Sequence, residues 1–306
     1  MPLSVSIRSN QIQSRQGMSI LKVKNLSKSF HDNNVLDDVN FQIEKGSFTA
    51  LLGKNGSGKS TILNLLMGHE KLDSGECHLF GESIKNNPDH LKNKIGHVSE
   101  RIRLDFPLPI SEFIPQYGKF FEHFDLDQFF RQAAEVKINL HKQFGEYSRG
   151  QKMQIVMLAA LAQKPELLLI DEITSVLDAF SRKYFISLLS DFTSKGGTVI
   201  LTTNIVNEVQ HYCSDVLFLS KGKIKFQTAL SEIPCNFKKV RTLDPHHPIS
   251  NISGCIWSGI NSDGSNSYIL PNAIYDSNTF QGLLEDKRNV TLEELYIYYS
   301  QQDQNE

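Results

Sequence analysis

The nine residues Gly53-Lys54-Asn55-Gly56-Ser57-Gly58-Lys59-Ser60-Thr61 constrain this chain more than any other stretch. They follow the apolar run Phe48-Thr49-Ala50-Leu51-Leu52 and precede a helical pattern over 62–67, so G-x-x-x-x-G-K-[ST] stands between a strand and a helix. Glycines there let successive backbone N–H groups turn inward around a phosphate that side chains would obstruct. The helix adds its positive N-terminal end. Within that loop Lys59 suits the β- and γ-phosphates of a nucleotide, and the Ser60 hydroxyl suits a Mg2+ ion. Gly53, Lys54, Asn55, Gly56, Ser57, Gly58 and Thr61 complete the candidate cradle.

A second run, Leu167-Leu168-Leu169-Ile170-Asp171-Glu172, reads as a buried strand whose carboxyl end delivers two acids, the place where α/β sheets hold ligands. Asp171 suits the metal. Glu172 suits a general base polarising a water. Taken alone, the pair reads more readily as an ordinary strand ending in two solvated acids.

Around these runs the pattern from about residue 21 to 226 alternates short apolar strands (21–23, 41–43, 48–52, 95–98, 167–170, 198–201, 216–219) with helical stretches, which predicts an α/β domain with a largely parallel core sheet. Lys221-Gly222-Lys223 predicts a hairpin turn into a strand over 224–226. The stretch 101–145 differs, holding eight of the chain's 19 phenylalanines after a start punctuated by Pro107, Pro109 and Pro115. It predicts a loop followed by helices forming a separate lobe, whose aromatics either fill a small core or leave a groove for a partner. Beyond 226, glycines between apolar pairs over 249–270 predict a small hairpin region. Thr291-Leu292-Glu293-Glu294 predicts a capping box opening a final helix. Residues 1–17, Ser/Gln-rich and without acids, read as a flexible tail, so the divisions expected are 1–17, 18–230 with a helical lobe at about 101–160, and an appendix over 231–306.

Charge and composition exclude some partners. With 32 Lys+Arg against 34 Asp+Glu the net charge is −2, too little positive excess for a dedicated nucleic-acid binder. Apolar runs are strand-length, far short of the roughly 20 residues of a membrane-crossing helix. The four cysteines (Cys77, Cys213, Cys235, Cys255) show no C-x-x-C pair and read as thiols of a reducing compartment.

At Tyr147-Ser148-Arg149-Gly150-Gln151 the chain resembles the nucleotide-binding subunits of ABC transporters, over about residues 21 to 226. These residues stand where that family has Leu-Ser-Gly-Gly-Gln, ahead of a helix and shortly before the Asp171-Glu172 strand, with Arg149 in place of a glycine. The resemblance implies an α/β P-loop NTPase fold of ABC type: a mainly parallel core sheet, an antiparallel N-terminal β part and an inserted helical lobe. It implies ATP and Mg2+ as ligands and a head-to-tail dimer, with either an identical or a sister ATP-binding subunit, in which Ser148, Gly150 and Gln151 close on the γ-phosphate held by the partner. Asp178, in Ser175-Val176-Leu177-Asp178, falls at the dimer seam. Phe30 matches the aromatic that stacks on adenine, with a strand-end core aromatic as the plain alternative.

Two departures bear on turnover. In Ile95-Gly96-His97-Val98-Ser99-Glu100 the family's switch glutamine is Glu100, which can still ligate Mg2+ but adds a negative charge beside the triphosphate. One like-charge pair at about 5 Å and an effective dielectric of about 20 costs roughly 3 kcal/mol. In Thr202-Thr203-Asn204 the family's switch histidine is Asn204, which can donate a hydrogen bond to the γ-phosphate but carries no positive charge. His97 reads as a strand residue. The expected protein is an ATPase of reduced turnover, with Glu172, Lys59 and Asn204 catalytic. By resemblance it drives a separate transmembrane permease from the inner face of a membrane. The alternatives are a soluble non-transport ABC ATPase and a nucleotide-dependent regulator.

Overall fold

The computed structural model describes residues 18–86, 89–99, 107–172, 177–206, 209–244, 247, 249, 255–272, 283–286 and 289–305. The chain opens with β1 (Ser19–Phe30) and β2 (Asn33–Glu44), then β3 (Phe48–Leu52), α1 (Lys59–Leu66), β4 (Ser74–Leu79), β5 (Glu82–Ser83), a single turn α2 (Asp89–Lys92) and β6 (Ile95–Ser99). The helices α3 (Ile110–Gly118), α4 (Leu126–Glu135) and α5 (Arg149–Ala162) follow, then β7 (Leu167–Asp171), α6 (Ala179–Ser194), β8 (Thr198–Thr203), β9 (Asp215–Ser220) and β10 (Lys223–Ala229). The C-terminal part comprises α7 (Ile233–Asn236), β11 (Phe237–Thr242), β12 (Ile256–Ile260), β13 (Asn266–Pro271), β14 (Leu284–Glu285) and α8 (Leu292–Asn305).

The central sheet has six strands in the order β10-β9-β3-β8-β7-β6, all parallel except β10. Its strands are covered on both faces, which explains why β3 and β8 read as unbroken buried runs rather than as alternations. Alternate residues nonetheless go to different layers. Leu51, Leu167, Leu169, Ile200 and Leu217 pack with α1 and the antiparallel sheet β2-β1-β4-β5. Leu52, Leu168, Ile170, Leu201 and Phe218 pack toward α5, α6 and α8. The fold is the mixed α/β arrangement expected, with its mainly parallel core and antiparallel N-terminal part.

In the helical lobe Phe113, Phe129 and Phe144 are buried, whereas Phe120 is 81% exposed. Tyr117 stacks on Phe113 with ring centroids 5.7 Å apart and meets Phe121 and Phe124. Packing therefore claims most of the aromatics described there, and Phe120 alone stands out to solvent; Phe106 lies outside the described residues. The Lys221-Gly222 turn joins β9 to β10, both residues at positive φ (44° and 73°). At the C-terminal end β12-β13-β11-β14 form a small antiparallel sheet, and Thr291 and Glu294 make the reciprocal bonds of a capping box at the start of α8. That helix returns to the central sheet: Tyr296 and Tyr299 pack on Phe218 at 5.5 and 5.6 Å, and Lys239 of β11 pairs with Glu294.

Candidate functional site

The loop Gly53–Gly58 sits between the carboxyl end of β3 and the start of α1, and two of its glycines are there for steric reasons. A Cβ on Gly53 would lie 2.3 Å from the Leu219 carbonyl and 2.6 Å from Ser57 Oγ. Gly58, at φ 108°, approaches Leu36 so closely that a Cβ would fall 2.7 Å from its Cδ2. The Lys59 ammonium is buried (4% exposed) and donates to the carbonyls of Gly53 and Lys54 at 2.8 and 3.1 Å, so the lysine closes its own loop. Burial pushes its pKa below the ordinary lysine value, opposed by the nearby carboxylates of Glu172 and Asp171.

The two acids at the end of β7 meet this loop. Glu172 Oε1 lies 3.6 Å from Lys59 Nζ, and Asp171 Oδ1 accepts from Ser60 Oγ at 3.3 Å. Thr202 Oγ1, at the end of β8, donates to the same Asp171 oxygen at 2.5 Å. Sequence reasoning did not single out Thr202; its contact follows from the parallel pairing of Asp171 with Thr202, a register that no local pattern announces. Glu172 has φ 50°, an uncommon value for a non-glycine residue, and its N–H donates to the Thr202 carbonyl at 3.2 Å. Strained backbone of this kind gathers where a side chain must be aimed. Asn204 lies over the loop, its Nδ2 3.3 Å from Asn55 Oδ1.

The cradle fits a bound phosphate. Ser57 Oγ is buried with no hydrogen-bond partner among the described residues, and the N-terminus of α1, capped by Gly58, carries no side-chain cap. The hydroxyl of Ser60 and the carboxylate of Asp171 are the hard oxygen donors that suit Mg2+.

Other candidate residues have local partners. Lys54 Nζ reaches across to the Ser300 carbonyl of α8 at 2.8 Å. Ser148 is the N-cap of α5, bonded reciprocally with Gln151 (Gln151 N to Ser148 Oγ 3.3 Å, Ser148 N to Gln151 Oε1 3.2 Å), and both are exposed. Gly150 follows in the first turn of that helix. Asp178 caps α6, accepting from Ser181 N at 2.8 Å and Ser181 Oγ at 3.1 Å, and those bonds hold its carboxyl below the usual range. Phe30 ends β1, is 37% exposed as a residue and has Lys28 Nζ 5.0 Å from its ring centroid, which makes it a surface aromatic rather than a core one. Glu100 lies outside the described residues.

A glycine-rich loop gripping its own lysine, two acids delivered by the neighbouring strand, and a polar helix tip at the start of α5 define a nucleotide-binding cassette. The sequence profile described as ABC transporter matches residues 36–175. The zinc uptake system ATP-binding protein ZurA of Listeria innocua is 34% identical over 66% of this chain and 83% of its own length. The chain belongs to the ABC transporter family. It is similar, too, to the Nod factor export ATP-binding protein I of Burkholderia lata, 27% identical over 72% of this chain and 76% of that protein. A solved dimeric ATP-binding cassette in a post-hydrolysis state, bound to ADP and Pi, matches with a TM-score of 0.61 and 25% identity over 69% of this chain and 98% of its own.

Proposed function

We propose that the chain binds Mg-ATP in the loop around Lys59 and hydrolyses it slowly once a second ATP-binding subunit closes over it. As a member of the ABC transporter family it is the ATP-binding subunit that powers a transporter. The observation that carries the site is the meeting of Lys59 with Glu172 at 3.6 Å and of Ser60 with Asp171 at 3.3 Å, which brings the two motifs together. Gly53 to Thr61 would hold the phosphates, Ser60, Asp171 and Glu100 the metal, and Phe30 the adenine. The metal supplies neutralisation of the phosphate charge. Glu172 accepts the proton of the attacking water, and Asn204 orients toward the γ-phosphate without adding charge.

Ser148, Gly150, Gln151 and Asp178 face the partner subunit, whether identical or a sister chain. The solved relative's dimer bound to ADP and Pi supports this arrangement. Among the described residues no helix is long and apolar enough to cross a membrane, so the translocation path falls to a separate permease that this chain meets at the inner membrane face. Residues 18–230 form the ATP-binding domain with its helical lobe at about 101–160, 231–306 the appendix, and 1–17 the tail.

The test is equilibrium binding of a fluorescent ATP analogue, with co-purification of the chain on membranes. Lys59→Ala loses nucleotide binding while the wild type binds and fractionates with membranes in a nucleotide-dependent manner. Normal uptake by Lys59→Ala removes the site, and absence from membranes in the presence of its genomic neighbours removes the transport role.

A further inference from the structure

The helix that begins at Ser148 carries a buried amide in an otherwise apolar run. From Met153 to Ala162 every residue of α5 is buried, and all but Gln154 are hydrophobic. An amide placed there costs free energy unless its hydrogen-bonding groups are satisfied. Gln154 Nε2 donates to Ser181 Oγ at 2.7 Å, a buried bond between residues 27 positions apart. Ser181, 5% exposed, in turn spends its single hydroxyl proton on Asp178 Oδ2 at 3.1 Å while its N–H goes to Oδ1 at 2.8 Å. The direction of the chain is therefore fixed: Ser181 can only accept at this position, so residue 154 must donate. Asp178 is held on its other side as well. Arg182 N donates to the Asp178 carbonyl at 2.9 Å, and Arg182 Nη2 donates to the Leu177 carbonyl at 3.1 Å.

We propose that Gln154 is a positioning residue that locks the exposed tip of α5 (Ser148 to Gln151) and the Asp178 turn into one rigid unit within a protomer. The inference rests on the reading above, that both surfaces meet the partner subunit. Each is by itself only a helix N-terminus with its own cap; through Gln154 and Ser181 they are presented in a fixed mutual register. A partner carrying nucleotide then meets a preformed surface, and closure does not have to order two independent segments. Gln154 lies on α5, whereas the loop around Lys59 joins β3 to α1, and its amide is spent on Ser181.

The experiment compares Gln154→Glu, which keeps shape and removes the donor, with Ser181→Ala, which removes the acceptor, and with the double variant. Three quantities are read: monomer affinity for Mg-ADP, the Mg-ATP concentration that half-forms the dimer in a Glu172→Gln background, and amide exchange of peptides spanning 148–152 and 177–181. Each single variant is expected to leave Mg-ADP affinity within about twofold and to raise the dimerisation midpoint about tenfold. Exchange should accelerate in both peptides at once. The double variant is expected to be no worse than the singles, because both cut the same chain. A merely structural role would lower Mg-ADP affinity and melting temperature together and give additive losses. Unchanged midpoint and exchange in Ser181→Ala, which deletes one hydroxyl and adds no bulk, overturn the proposal. Failure of the parent Glu172→Gln protein to dimerise at saturating Mg-ATP, alone or with a sister chain, overturns the underlying reading instead, and the exchange result then stands apart from it.

Discussion

Individual residues in the cradle are constrained for different reasons, and substitutions should separate them. Gly58 is fixed by its backbone at φ 108° and by Leu36. Gly58→Ala is expected to cost about 1–3 kcal/mol, read as a lowered melting temperature, before any effect on nucleotide is considered. Asn204 is tied down lightly: among the described residues its Nδ2 meets the exposed Asn55 side chain at 3.3 Å. Asn204→His is expected to raise steady-state ATP turnover about tenfold by restoring a cation-capable donor beside the γ-phosphate, with stability unaltered. Equal turnover in the two proteins would remove Asn204 from the proposal of slow hydrolysis. The glycine motif and the Asp171-Glu172 pair were legible because a phosphate loop demands glycine at fixed positions and a buried parallel strand demands an apolar run. Thr202 and the orphaned Ser57 hydroxyl were not legible: one depends on strand register, the other on what a folded loop leaves unpaired.

At the scale of elements, the side-chain caps of α5 and α6 can be tested separately. Ser148→Ala removes the Oγ that accepts from Gln151 N–H while leaving the Ser148 N–H to Gln151 Oε1 bond possible, and is expected to cost about 1 kcal/mol of stability in denaturant unfolding. Asp178 gives a pH signature. Its bonds from Ser181 lower its folded pKa below 3.8, so the stability it contributes is present above that ordinary value and is lost as pH falls through the folded value. Asp178→Asn should therefore flatten the acid limb of the stability profile, and an unchanged limb would mean the cap is electrostatically idle. The Ser148 box follows an S-x-x-Q pattern visible in the sequence. That Asp178 and Ser181 bond to α5 through Gln154 was hidden, because nothing local tells a buried glutamine which helix it will face.

For the whole molecule, the unexpected relation is between the two ends of the fold. The polar segments of β4 and the Lys-rich β11 carried weak strand patterns, and their places became clear only once partners from distant sequence covered them. The final helix was legible from its capping box, but its destination was not: Lys54 bonds to Ser300 across 246 positions of chain. Leu295 and Tyr298, 0% and 1% exposed, make α8 part of the main core. Leu295→Ala is expected to cost about 2–5 kcal/mol and to lower the melting temperature of the entire ATP-binding domain in a single transition. Two separate transitions would show the C-terminal part to be an independent unit.

The same bond has a practical side. Lys54 belongs to the same loop as Gly53 and Gly58, so a label placed near Ser300 on α8 would stand beside that loop. Nucleotide affinities measured on a protein so labelled would report the label as well as the protein. Conversely, a dye placed there would sense the filling of the pocket without touching it.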